Sequence, residues 1–156
     1  MGAVLHMSKL TDYGTVLMSA LAQDPAAMLT AKELAAKTHL ALPTVSKILK
    51  MLARAELVLS GRGTKGGYRL ARQPGEISVA DIIDAIEGPL AVTECSSAQG
   101  RCVQEAVCSV RVNWQRINGA IRHTLERVSL AEMAITAPAP AIDLRTLRYA
   151  GAAETG

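Results

Sequence analysis

The sequence predicts a mainly α-helical chain carrying one small β-hairpin. Three observations carry that prediction. Two short helical stretches, near residues 31–39 and 43–55, are joined by a tight turn, and the second holds polar and basic residues. A glycine-rich basic run, Ser60-Gly-Arg-Gly-Thr-Lys-Gly-Gly67, lies between two strand-like runs, as in a hairpin. Further on, apolar residues recur at alternating steps of three and four over residues 109–133, a narrow seam of the kind that pairs two helices. Together these describe a winged helix-turn-helix domain over residues 8–88, a cysteine-bearing loop over 89–108, a long dimerisation helix over 109–133 and an Ala- and Pro-rich tail over 134–156.

The elements follow in order. Leu10, Tyr13, Val16, Leu17, Ala20 and Leu21 form one apolar stripe over residues 8–22, and Gln23-Asp-Pro25 ends that helix. Thr30-Ala-Lys-Glu33 is a capping box that opens a short helix with Leu34 and Ala35 as its buried positions, ending near Thr38-His39. Pro43 suits a first helical position, where its missing N–H is not needed. The helix it opens runs to Ala55 with Val45, Ile48, Leu49 and Leu52 on one face. Leu57-Val-Leu59 and Tyr68-Arg-Leu70 are the strands of the hairpin, and Gln73-Pro-Gly75 closes it. Ser78 to Asp81 caps a short helix bearing Val79, Ile82, Ile83 and Ile86, stopped by Gly88-Pro89. The long helix carries Val110, Trp114, Ile117, Ile121, Leu125 and Val128. A helix of that length can bury only part of itself on so small a domain, so its seam is expected to meet a second copy, giving a homodimer.

Composition sets the function class. Hydrophobic residues make up 49% of the 156, yet there is no Phe and one Trp, so the core must be aliphatic. A formal net charge of +3 does not by itself imply a polyanionic partner. Its distribution does. From Pro43 to Arg72 seven basic residues face the single acid Glu56, a local net charge of +6. That is the electrostatic footprint of a nucleic-acid reader. On the second helix of the pair, Pro43, Thr44, Ser46, Lys47 and Lys50 are placed to approach a major groove. The hairpin offers Arg62, Lys65 and Tyr68, with a tip thin enough to follow a phosphate backbone. The same glycine-rich run lacks the GxxxxGK[ST] pattern of a nucleotide-phosphate loop, and no catalytic triad or paired-carboxylate site stands out. No apolar run reaches membrane-span length, and residues 1–7 lack the basic and apolar regions of a secretion signal.

All three cysteines, Cys95, Cys102 and Cys108, fall in one stretch, separated by six and five residues. Ser96, Ser97, Gln99, Gly100 and Arg101 between the first two suit a loop. A polar loop holding every thiol of the chain is a place for a soft metal or an iron–sulfur cluster, since thiolates are the preferred ligands there. The spacing is not that of a zinc ribbon, which needs close CxxC pairs. A reversible disulfide between two of the three, favoured by Arg101 and Arg111 nearby, is the alternative chemistry. Three thiols without a disulfide framework fit a reducing cytoplasm.

Lys9-Leu-Thr-Asp-Tyr-Gly14, Leu42-Pro-Thr-Val-Ser-Lys-Ile-Leu49, Gly63-Thr-Lys-Gly-Gly-Tyr-Arg-Leu70 and the cysteine triplet before a long helix resemble the Rrf-two family of bacterial repressors over residues 8–133. Within it the chain is similar to the iron–sulfur regulators of the IscR and NsrR type, and most similar to regulators of the SUF cluster-assembly operon. The resemblance implies a cytoplasmic homodimer on a pseudo-palindromic double-stranded DNA operator, with recognition helices in major grooves and wings in minor grooves. It assigns Cys95, Cys102 and Cys108 to the cluster, the first spacing being one residue longer than the family's usual five. In IscR-like members a His three residues past the last cysteine completes a two-iron cluster, 2Fe-2S; here that position is Arg111, which cannot ligate. In NsrR-like members an Asp in the first helix of the other subunit serves instead, and Asp12 holds the matching position. A four-iron cluster, 4Fe-4S, is the corresponding alternative. Glu94, Glu105 and His123 are further ligand candidates.

Overall fold

A computed structural model of the chain describes residues 7–92 and 109–135. The stretch containing Cys95, Cys102 and Cys108, and most of the predicted tail, lie outside the described residues. Helix α1 spans Lys9–Ala22, with the Ser8 hydroxyl accepting from the Thr11 N–H at its start. Helices α2 (Ala31–Thr38) and α3 (Leu42–Arg54) follow. The hairpin pairs β1 (Val58–Gly61) with β2 (Gly67–Leu70), and a short 3-10 turn, Pro74–Glu76, leads to α4 (Val79–Glu87). After the cysteine-bearing stretch come α5 (Arg111–Arg127) and the single-turn α6 (Leu130–Met133). A mainly helical chain with a two-stranded wing is what the sequence predicted.

Local rules explain most boundaries. Both halves of the predicted capping box are made at Thr30: its hydroxyl accepts from the Glu33 N–H at 3.2 Å, and the Glu33 carboxylate accepts from the Thr30 N–H at 2.7 Å. Those bonds hold the Glu33 carboxyl below its ordinary value. Ser78 and Asp81 form the equivalent box on α4. Pro43 falls at the second position of α3, one residue later than expected, because Ala41 takes the extended cap conformation. The end of α3 is closed by a Schellman motif. Glu56 sits at φ 57°, its N–H reaching the Ala53 carbonyl at 3.1 Å while the Leu57 N–H reaches Leu52 at 3.0 Å. A left-handed residue there turns the chain straight into β1.

The core sits between α1, α3 and α4 and is aliphatic, as composition required. Val45, Ile48, Leu49 and Leu52 are all fully buried, the predicted face of α3 without exception. On α1 the expected stripe holds at Leu17, Ala20 and Leu21, which are buried, and Leu10 and Tyr13 pack half-buried against the core. It is corrected at Val16, which is 41% exposed, while Thr11, Gly14 and Met18 are buried as well. The cause is α4, which seats on the smallest residue of α1: a Cβ on Gly14 would run into the Ile86 side chain. The Glu87 carboxylate fastens the same junction, accepting from the Thr11 hydroxyl and from the Ser8 N–H.

The predicted helix over 109–133 is also corrected: it is two helices. Val128 turns extended, with ψ 115°, and Ser129 opens α6 through its own capping box with Glu132. Residues 128–130 lie antiparallel to 77–79, with the Val79 N–H bonded to the Val128 carbonyl at 2.9 Å and the Leu130 N–H to the Ile77 carbonyl at 2.7 Å. Leu130 is thereby delivered, fully buried, into the core of the winged unit. Val128 consequently leaves the seam. Along α5, Ile121 and Leu125 are half-covered, whereas Val110, Trp114 and Ile117 are 49%, 36% and 44% exposed. The half of the helix that follows the cysteine-bearing stretch therefore presents an apolar face that nothing in the described chain covers.

Candidate nucleic-acid interface and cysteine segment

The two faces of α3 are opposite in chemistry. Pro43, Lys47, Lys50 and Arg54 recur at steps of four, three and four, which places them on one stripe, diametrically across from Val45, Ile48, Leu49 and Leu52. All four are exposed, and Thr44 and Ser46 flank them, half-buried. Burying one face fixes the other's direction, so the fold aims the cationic stripe outward. Among the described residues none of Lys47, Lys50, Arg54, Arg62 and Lys65 has an ion-pair partner, whereas Arg72 pairs with Asp81 and Arg122 with Asp84 and Glu126. The field of this face is uncompensated. Arg54 belongs to the stripe, although only Pro43, Thr44, Ser46, Lys47 and Lys50 of this helix were named as groove contacts from the sequence; its four-residue step from Lys50 was the available signal.

The helix-turn-helix itself turns at His39, which takes the left-handed conformation with φ 57° and ψ 26° after Thr38. The wing is held by antiparallel pairing of Val58 with Leu70, Leu59 with Arg69, Ser60 with Tyr68 and Gly61 with Gly67. Arg62 and Lys65 lie in the exposed tip between the strands. Tyr68 is placed differently. It packs half-buried against the core, and its backbone exchanges two bonds with Leu29, of 2.7 and 3.0 Å, so it roots the wing on the segment before α2. Gly67 permits that contact: at φ 149°, with the Leu29 carbonyl 2.7 Å from where a Cβ would stand, no other residue fits.

Asp12 lies in the first turn of α1, exposed. It borders a groove of about 500 Å³ between α1 and α6, along with Val16, Gln23, Lys37, Met133 and Ile135. No group of three or more His, Cys, Asp or Glu side chains converges among the described residues, so Asp12 belongs to no such group within them. The three thiolates suit iron by their chemistry; a carboxylate joining them would have to come to the cysteine segment from elsewhere. Glu94 and Glu105 lie outside the described residues with the cysteines, and His123 is exposed on α5.

Sequence reasoning missed a polar junction where the chain leaves α4. The Leu90 N–H donates to Asp84 Oδ1 at 3.3 Å. The Asn118 side chain accepts from the Val92 N–H at 3.1 Å and donates to the Leu90 carbonyl at 3.2 Å. Arg122 closes the set on Asp84 at 2.9 Å, and that carboxylate raises the guanidinium pKa above its usual value. Asn118 and Arg122 read in sequence as ordinary solvated helix residues, and nothing local marks them.

A helix-turn-helix with an uncompensated basic stripe, followed by a basic hairpin, defines a winged-helix DNA-binding regulator. The chain belongs to the Rrf2 family, described as iron-dependent transcriptional regulators, which matches residues 7–136. It is 29% identical over 131 residues to the HTH-type transcriptional regulator NsrR of Geobacillus kaustophilus, covering 83% of this chain and 89% of that one. Among solved structures it is similar to CymR, the global cysteine regulator of B. subtilis, with TM-score 0.66, 28% identity, and 84% and 97% of the two chains covered. It is likewise similar to IscR of T. potens, with TM-score 0.63, 28% identity, and 97% and 94% covered. The family is one of transcriptional regulators, not of enzymes. These names do not single out the SUF-operon regulators that the resemblance in sequence pointed to. No helix among the described residues is long and apolar enough to cross a membrane.

Proposed function

We propose that the protein is a homodimeric repressor whose affinity for a pseudo-palindromic operator is set by an iron–sulfur cluster on Cys95, Cys102 and Cys108. The observation that carries DNA recognition is the α3 stripe, whose cations are exposed and without ion-pair partners opposite a fully buried face. Thr44, Ser46 and Lys47 touch base edges in the major groove; Pro43 fits the helix start against the duplex, and Lys50 and Arg54 bind phosphate. Arg62 enters the minor groove and Lys65 takes the backbone beside it, while Tyr68 fixes the angle of the wing from its root. The exposed Val110, Trp114 and Ile117 face of α5 meets its equivalent in the second copy. The family's description as iron-dependent supports the cluster.

The three thiolates and Asp12 of the partner subunit would hold the cluster, 2Fe-2S in this reading, and the cluster would supply a link among the thiols that responds to iron and oxidant. The chain's own part is mechanical: the cysteine segment joins α4 to α5, so its dimensions bias how the two recognition helices are spaced. The genes governed would be those for SUF iron–sulfur assembly. A second reading, a disulfide switch without a cluster, is favoured by the likeness to CymR of Staphylococcus aureus, whose structure has been solved in an oxidised form.

Purification without oxygen, followed by visible absorption and by iron and acid-labile sulfide per subunit, tests the cluster. Brown protein with both elements supports it, and their ratio separates 2Fe-2S from 4Fe-4S. Asp12→Ala should alter the spectrum or shorten its lifetime if Asp12 ligates. Colourless, iron-free protein after reconstitution, with thiols lost on oxidation, moves the reading to the disulfide switch. Lys47→Ala should cost about 1–3 kcal/mol on the best duplex and relax its specificity, whereas Lys50→Ala should weaken all duplexes alike and flatten the salt slope by about one.

A further inference from the structure

The connector Gly88 to Val92 runs from the end of α4 toward Cys95, three residues beyond Val92. The Gly88 N–H still closes α4 on the Asp84 carbonyl, and beyond it the connector's backbone bonds go to side chains of two helices at once. The Leu90 N–H is held by Asp84 of α4, and the Leu90 carbonyl and Val92 N–H by Asn118 of α5. Asn118 offers a donor and an acceptor on one planar group, which a backbone segment presenting C=O and N–H two residues apart requires; neither Asp nor Ala can supply both. Arg122, one turn on, ties Asp84 back to α5. At its other end the cysteine segment runs directly into α5, which begins three residues after Cys108. Both ends of a 16-residue stretch, 93–108, are thus fastened to the same helix, one by covalent continuity and one by Asn118.

We propose that Asn118 is the positioning residue through which the state of the cysteine segment reaches the winged unit. With the Asn118 bonds in place, any change in the span of the segment acts on Val92 and Leu90, and through Asp84 on α4, which packs on α1 and α3. Without them the connector absorbs the change and α4 does not move. The inference rests on the reading that cysteine chemistry controls operator affinity, whichever chemistry it is.

Asn118→Ala and Asn118→Asp in the full chain test it. In iron-free, thiol-reduced protein, Asn118→Ala should speed amide exchange at Val92 roughly tenfold while Val45 and Ile48 on α3 are unchanged. Binding is then measured to a duplex selected by the wild-type chain from a random pool, in the reduced iron-free state and after reconstitution with iron and sulfide. If no iron is taken up, the disulfide-oxidised state replaces the second. The ratio of the two dissociation constants is the coupling, expected to be about tenfold or more in the wild type. Asn118→Ala should bring the ratio close to one while the reduced-state affinity stays within about twofold, with Asn118→Asp, which keeps only the Val92 acceptor, between the two. A merely structural residue would lower melting temperature and both affinities together and keep the ratio, which overturns the proposal. So does unchanged exchange at Val92. A wild-type ratio of one overturns the functional reading and this inference with it; a large wild-type ratio retained by Asn118→Ala overturns the inference alone.

Discussion

Leu130→Ala tests whether the chain after α5 returns to the winged unit. Leu130 is fully buried among the side chains of the core cluster and is set there by the Ser129 cap and the bond to Ile77. Truncation to Ala removes Cγ and both methyls, about 2.5 kcal/mol of transfer free energy at roughly 0.8 kcal/mol per buried carbon. Incomplete collapse of the space adds about 1 kcal/mol, within the range for buried leucines. A loss of ~3.5 kcal/mol corresponds to roughly 15–25 °C in melting temperature for a unit of this size. Thermal unfolding followed by circular dichroism, at one protein concentration because the proposed dimerisation would contribute to apparent stability, reads it directly. Trp114→Ala is the contrasting variant: it should leave the winged unit's own unfolding in place and, by weakening the proposed pairing of two α5 faces, make the melting temperature depend less steeply on concentration. A shift below about 5 °C in Leu130→Ala would refute the split-helix packing and restore one continuous helix.

Three further outcomes follow from local geometry. Glu56→Gly should stabilise the protein by about 1 kcal/mol, because a left-handed residue at the end of α3 suits glycine, and denaturant unfolding that shows a loss would contradict the motif. Gly67→Ala should cost about 1–3 kcal/mol and weaken DNA binding by tilting the wing, whereas Gly75→Ala, with open space around its Cβ, should be neutral; equal effects would refute the Leu29 contact. The Glu87 carboxyl is held below its ordinary 4.5 by the Thr11 and Ser8 bonds, so its contribution is present above that pH and is lost as pH falls through the lowered value. Glu87→Gln should therefore lose stability less steeply in acid than the wild type, and parallel acid-unfolding curves would remove Glu87 from that role.

What could be read in the sequence was whatever is decided within a turn or two of chain. The capping box at Thr30, the buried face of α3, the hairpin between Leu57 and Leu70 and the cap at Ser78 depend on neighbours in sequence, and each stands in the structure. The α1 stripe held at Leu17, Ala20 and Leu21 and departed at Val16, because apolarity ranks side chains by size, while α4 chose Gly14 as its seat. The long-helix expectation failed at Ser129-Leu-Ala-Glu132, a capping box of the same kind as the one recognised at Thr30, hidden inside a run of otherwise helical periodicity. Tyr68 was grouped with the wing cations for its position; that its side chain also packs half-buried against the core was not legible there.

The sequence alone determined the class of protein, since the basic run, the glycine-rich hairpin and the cysteine triplet are all written in consecutive residues. Tertiary structure alone decided which cations share a direction, because burial of Val45, Ile48, Leu49 and Leu52 orients the opposite face. It alone returned Leu130 to the core and brought Asn118 to Leu90 and Val92, 28 and 26 residues away. Such contacts join side chains whose individual propensities are indifferent to them. Their energy exists only once two distant segments have been placed side by side, so no local pattern in the chain records it.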